Sequence, residues 1–163
     1  MDKQRLHNEM KAFLGPPGGR RVAVVGIGNA VRRDDAAGLR VIELLQGKGL
    51  KDVLLLRTET VPESYTGVIR DYAPTHVILI DAAAFNGSPG AARTIPPEKI
   101  ANATVSTHSL PLSVFIGYVA KTICLNIVLI GIQGEDNGMG EGLTPEVEEG
   151  ARKVATLLEE LLE

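Results

Sequence analysis

The chain of 163 residues has one cysteine, no tryptophan, and only three tyrosines and three phenylalanines. A single thiol, Cys124, cannot close an internal disulfide, and without a CxxC pair there is no zinc clip or dithiol redox centre. Cys124 sits in the apolar run 123–132, where a thiol is expected to be buried and inert. Long hydrophobic stretches are also missing: the longest holds about ten residues, and a bilayer span needs ~20. The start, Met1-Asp2-Lys3-Gln4-Arg5, lacks the apolar core of a secretion signal. Charge of one sign is not in surplus either. The net charge of -3 offers no basic face for a phosphate backbone, and Arg20-Arg21 reads as the solvated entry to a strand. The expectation is a soluble, cytoplasmic, monomeric protein without nucleic-acid partner or membrane insertion.

What the chain does contain is a globular composition, 44% hydrophobic and 23% charged, enough apolar material to bury a core. Residues 22–27, 53–56, 76–80 and 125–130 are β-branched and nearly continuously apolar, as strands covered on both faces must be. A weaker run, 91–95, is a candidate edge strand. Between these runs lie amphipathic stretches. Residues 36–45 carry Leu39, Ile42 and Leu45; residues 64–72 carry Tyr65, Val68, Ile69 and Tyr72; residues 110–122 are more uniformly apolar. Thr144 and Pro145 open a last helix with Val147, Ala151, Val154, Leu158 and Leu161 on one stripe. Residues 1–19 form a helix with Leu6, Met10 and Phe13 at helical spacing and a Gly/Pro hinge, an appendage to the domain of residues 20–163. Alternating strands and helices predict one three-layer α/β domain: a mainly parallel twisted sheet with helices on both faces. Ligands of such sheets bind outside the carboxyl ends of the strands.

The residues at those ends carry the chemistry. After the first strand comes Gly28-Asn29, shaping a turn, and then Asp34-Asp35 where a helix begins. A dinucleotide loop is excluded because GxGxxG requires glycine at Val31. Asp34-Asp35 are also placed to cap the helix. Glu63 follows the second strand, Asp81 closes the third, and His108 precedes a helix that Pro111 is suited to start. Each has a plain reading as a turn or cap residue. His7 lies in the appended helix, and His76 opens a strand at the opposite end. If Asp35, Asp81 and His108 converge, two carboxylates and an imidazole suit a borderline divalent ion and leave coordination positions open.

Together these segments resemble the hydrogenase maturation proteases. The resemblance rests on Val24-Val25-Gly26-Ile27-Gly28-Asn29, Asp34-Asp35-Ala36-Ala37-Gly38, Val61-Pro62-Glu63, Ile80-Asp81-Ala82, Thr107-His108-Ser109-Leu110-Pro111-Leu112, Gly131-Ile132-Gln133 and Leu143-Thr144-Pro145. It runs from about Val22 to the C-terminus. It implies an endopeptidase that trims the C-terminal peptide of a [NiFe] hydrogenase large-subunit precursor after nickel insertion. It assigns the catalytic and metal-binding positions to Asp35, Asp81 and His108, with Asn29 and Glu63 as substrate contacts. The implied metal is nickel presented by the precursor, for which zinc or cadmium would substitute in vitro. Two departures stand out: Arg33 and Ala36 occupy positions before and after the paired acids where the family usually has glycine.

Neither a Gly-x-Ser-x-Gly elbow nor HExxH is present. The metal would polarise the scissile carbonyl or activate water, or serve only as a docking point while an acid acts as general base. The family is sometimes grouped with aspartic peptidases, which the two Asp fit loosely. Three readings compete: a nickel-dependent checkpoint or chaperone that binds the precursor without cutting it; a peptidyl-tRNA hydrolase, whose His close after the Asn and basic face are lacking here; and a nucleotide-binding module, which ATP or NAD binding would reveal.

Overall fold

The computed structural model describes residues 2–100, 109–124 and 126–163. In chain order the elements are α1 (Asp2–Leu14), β1 (Val22–Ile27), a 3-10 turn (Arg33–Ala36), α2 (Ala37–Leu45), β2 (Val53–Glu59), a second 3-10 turn (Pro62–Tyr65), α3 (Thr66–Tyr72), β3 (His76–Ala83), β4 (Ala92–Ile95), α4 (Pro97–Ile100), α5 (Ser109–Thr122), β5 (Ile127–Gln133) and α6 (Pro145–Leu162). The strands form one sheet in the order β2-β1-β3-β5-β4. The first four of these are parallel to their neighbours, and β4 alone runs antiparallel, against β5.

Both faces of this sheet are covered, and the period of two along each strand divides its side chains between two cores. Val22, Val24, Ile78, Ile80, Val128 and Ile130 point to a layer of α1, α2 and α6. Ala23, Val25, Ile27, Val77, Leu79 and Leu129 point to α3, α4 and α5, where Phe115 and Leu112 fill the layer. The continuous apolar runs exist for this reason: a strand buried on both faces has no solvent side for polar residues.

Several boundaries differ from expectation. β2 extends to Glu59, and β3 extends to Ala83, so Asp81 lies inside β3 and not after it. β5 begins at Ile127, two residues later than anticipated, and ends at Gln133; Leu125 is outside the described residues. The stretch 64–72 divides into a 3-10 turn and α3, because Pro62 starts a tight turn before the α-helix; Val68 faces solvent and only Ile69 is fully buried. In α1 the buried stripe is Leu6, Met10 and Leu14, with Phe13 half-buried beside it. Cys124 follows α5 and is half-buried where full burial was expected; what burial it has pushes its thiol above the ordinary range.

Candidate active site

The carboxyl edge is assembled by close backbone contact. A β-carbon on Gly26 would strike Ile42 and the Gly38 carbonyl, one on Gly28 would strike the Asp35 carbonyl, and one on Gly38 would strike the carbonyls of Ile27 and Ile80. All three glycines are required by proximity, and none has a positive φ. They let the start of α2 sit directly on the ends of β1 and β3. Gly28 N–H also donates to Glu59 C=O at 2.9 Å, which ties the turn to β2.

Asn29 organises the following loop. Its side-chain oxygen accepts from Val31 N–H at 3.1 Å, and its own N–H donates to Asp35 Oδ2 at 3.0 Å. Asp35 is 5% exposed. On the neighbouring element, Asp81 is fully buried within β3 beside Gly131 of β5, and its Oδ1 accepts from Ala82 N–H at 2.8 Å. The 3-10 turn carrying Asp35 packs against β3, so the two carboxylates share one edge of the sheet. Glu63 is on the same edge in the turn after β2, exposed to solvent. His108 lies outside the described residues. The helix that follows it starts at Ser109. α5 ends near the amino edge, where Asn126 Nδ2 donates to Thr75 C=O at 3.0 Å. Fourteen helical residues span about 21 Å, which brings the start of α5 to the carboxyl edge beside Pro62–Tyr65.

Asp34 plays a different part from the one its position implied. Neither the 3-10 turn nor α2 has a side-chain cap, so the paired acids do not cap this helix. The Asp34 carboxylate, fully buried, accepts from Glu135 N–H at 2.9 Å, Asp136 N–H at 2.8 Å and Thr144 N–H at 2.8 Å. It also takes the Thr144 hydroxyl at 2.9 Å. Thr144 occupies the N-cap position of α6 as expected, but its hydroxyl is committed to Asp34 and makes no cap bond. The loop 134–144 is thereby clasped over the site loop. Arg32 Nε–H reinforces it by donating to Asn137 C=O at 3.1 Å, and Arg33 N–H donates to Gly140 C=O at 3.0 Å. Gln133 fastens the other side: its Oε1 accepts from Phe85 N–H at 2.8 Å and Gly87 N–H at 3.2 Å, fixing the loop after β3. Asp34 and Gln133 were both visible as motif residues, but their partners are distant in sequence and gave no local signal.

The two departures in this region are now explicable. Arg33 has φ +44, a left-handed conformation natural to glycine. Its guanidinium lies against Gly140 and within 3.6 Å of Asp136, contacts that a glycine would lack. Ala36, at φ -88 and ψ 7, needs no glycine at all.

Among the described residues no group of three His, Cys, Asp or Glu side chains is disposed to hold a metal ion. Asp35 and Asp81 bring two carboxylates to the carboxyl edge, and the third residue expected with them, His108, is outside the described residues. A groove of about 260 Å³ between α1, α6 and the loop 88–92 is lined by Leu6, Ala91, Val154 and Leu157, and the two acids are not part of it.

A sequence-family model described as hydrogenase maturation protease matches residues 39–162, a span that includes Glu63, Asp81 and His108. The chain belongs to this family. A protein of Methanocaldococcus jannaschii with the same designation is 34% identical over 122 residues, 70% of this chain and 72% of its own. The hydrogenase 3 maturation protease of Escherichia coli K12 is 27% identical over 134 residues, covering 82% and 85%. The crystal structure of a [NiFe] hydrogenase maturation protease, HycI, from Thermococcus kodakarensis KOD1 superposes with a TM-score of 0.80 at 38% identity, covering 89% of this chain and 94% of that one. This maturation protease is therefore a peptidase on a single α/β domain. Among its described residues no helix is long and apolar enough to cross a membrane.

Proposed function

We propose that this maturation protease removes the C-terminal peptide from a nickel-loaded [NiFe] hydrogenase large-subunit precursor, with Asp35, Asp81 and His108 closing on the nickel that the precursor carries. The observation supporting this reading is the pair of buried carboxylates, Asp35 and Asp81, delivered by different elements to one sheet edge in a member of this family. Burying a carboxylate is expensive. At Asp34 the cost is offset by backbone and hydroxyl donors that hold two loops together; Asp35 accepts from Asn29 N–H and Asp81 from Ala82 N–H, and both lie at the carboxyl edge, where ligands of parallel sheets bind.

Two carboxylates and one imidazole make an incomplete shell without soft ligands. Thiolates of the precursor would supply those, so metal and scissile tail would arrive as one substrate. Zinc or cadmium would bridge the same groups in vitro. Docking through a shared ion orients the peptide bond, and such positioning can remove about 7 kcal/mol or more from a barrier. One carboxylate of the pair then takes the proton from the attacking water. Glu63 and Asn29 would contact the incoming chain.

The test uses purified large-subunit precursor prepared with and without nickel, with cleavage followed by mass spectrometry. The expected result is cutting of the loaded form alone. Equal cutting of both forms would overturn the shared-metal reading, and nickel-dependent binding without cutting would establish the checkpoint reading instead.

A further inference from the structure

The two outer strands of the sheet are treated differently. β4 is backed by α1, which packs along it, and Thr94 Oγ1–H donates to Glu9 Oε1 at 3.0 Å. β2 has no strand neighbour on its outer side among the described residues. Its side chains divide between the two cores, Val53 and Leu55 towards α2 and Leu54 and Leu56 towards Tyr65, so the packing falls on its faces and leaves its edge open. Val22 pairs with Val53 in parallel register, and Val22 N–H donates to Asp52 C=O at 3.0 Å. In a parallel ladder successive residues direct their backbone groups to alternate sides. Asp52, Leu54 and Leu56 therefore face β1, while Val53, Leu55 and Arg57 present N–H and C=O outward. Natural sheets blunt such edges with proline, lysine or bulges. Residues 53–56 have none of these, and the register shift on this ladder comes only at Gly26/Ile27. The side chain of Arg57 is turned to Glu43 and Glu59, at 3.2 and 3.7 Å.

We propose that β2 accepts an extended segment of the precursor as a sixth strand and so delivers the scissile bond to the acids. This deepens the proposed function and rests on it. The occupant is identified by where β2 leads. Glu59 C=O holds Gly28 N–H, and the next residue, Asn29, donates its N–H to Asp35. A chain leaving the added strand at the carboxyl edge must cross two strand spacings, about 10 Å, to reach the turn that bears Asp35, and about three extended residues cover that distance. An added strand holds its peptide bonds extended, as an endopeptidase requires, and main-chain pairing tolerates sequence variation while side-chain pockets select.

Leu55→Pro removes the outward N–H and leaves the bonds to β1 intact; proline is tolerated at such an edge position. Leu55→Ala removes the same side-chain packing but keeps the N–H, and is the matched control. With nickel-loaded precursor as substrate, Leu55→Pro is expected to lower kcat/KM by about tenfold relative to Leu55→Ala, through KM, as loss of main-chain hydrogen bonding predicts. In the wild-type protein, pulsed hydrogen exchange on mixing with the precursor is expected to slow at Val53, Leu55 and Arg57; this arm stands even if Leu55→Pro does not fold. Cleavage without that protection, and with equal kcat/KM for the two variants, would overturn the edge site and leave the peptidase reading intact. Protection without cleavage would support the edge site and overturn the cleavage reading. Free protein that light scattering shows to be a dimer, dissolved by Leu55→Pro and not opened by precursor, would assign the edge to a second copy and overturn the proposal.

Discussion

At the amino ends of the strands the backbone is closed by hydroxyl, amide and part-exposed guanidinium groups, Arg21 Nη2–H donating to Tyr72 C=O at 2.8 Å, with no buried carboxylate there among the described residues. Thr75 Oγ1 accepts from Arg21 N–H at 2.9 Å, Asn126 Nδ2 donates to Thr75 C=O at 3.0 Å, and His76 sits 2.7 Å from the Thr75 hydroxyl with its ring edge-on to Phe13. At the carboxyl ends the same architectural task is given to Asp34, Asp35 and Asp81, all 5% exposed or less. A neutral amide or hydroxyl closes a turn at little cost, whereas a buried carboxylate must be compensated by donors or by a ligand. The difference between the two ends is thus one of cost: the carboxyl end carries three buried acids and the amino end none among the described residues. Asp34 shows that a buried acid at the carboxyl end can also be purely architectural.

The largest expected effect tests that last distinction. Asp34→Ala would leave three backbone N–H groups and the Thr144 hydroxyl without their acceptor, and should cost about 3–5 kcal/mol in urea unfolding. A loss below about 1 kcal/mol would mean that the clasp between the site loop and residues 134–144 is not structural. Asp35→Asn and Asp81→Asn, and His108→Ala with them, should instead lower precursor cleavage by at least about a hundredfold, with far smaller changes in unfolding free energy than Asp34→Ala. A variant of Asp35 that cut normally would collapse the contrast between the adjacent acids.

A smaller effect is expected where α2 meets α6. The Arg40 guanidinium forks onto Glu148, Nε to Oε1 at 3.0 Å and Nη2 to Oε2 at 3.1 Å, and holds the Glu148 carboxyl below its ordinary value of 4.5. A carboxyl lowered in the folded state contributes stability above its unfolded pKa and loses it as pH falls through the folded one. Glu148→Gln should cost about 0.5–1 kcal/mol near pH 7, and the gap to wild type should close in acid; thermal melts at several pH values would show this. A constant gap down to strong acid would mean that the pair acts through packing. Smallest of all, His76→Ala should leave cleavage unchanged and cost about 1 kcal/mol by removing the contact with Phe13. A loss of activity there would erase the functional difference between the two ends of the sheet.

Four strands, their parallel arrangement and the two-sided covering could be read from hydrophobic pattern, since a strand buried on both faces must be apolar throughout and a helix on a sheet must carry a stripe. The family resemblance was legible because its short motifs occur in order along the chain. Strand ends were less legible: Asp81 terminates an apolar run yet pairs with Gly131 inside the sheet, because the ladder with β5 continues past the last hydrophobic pair on β3.

By itself the sequence determined the class of fold, through composition and hydrophobic periodicity, and the family resemblance, through short motifs that occur in order along the chain. Only the tertiary structure decided that Asp34 fastens the loop before α6 while Asp35 lies in the turn against β3, and that Gly26 and Gly38 are needed for the approach of α2 to the sheet. It also decided that α1 packs along β4 while β2 has no strand on its outer side among the described residues. The physical reason is the same in each case: a hydrogen-bond acceptor, a missing β-carbon or a strand edge acquires its role from the group brought against it. For Asp34 and Thr144 that group is 110 residues away along the chain.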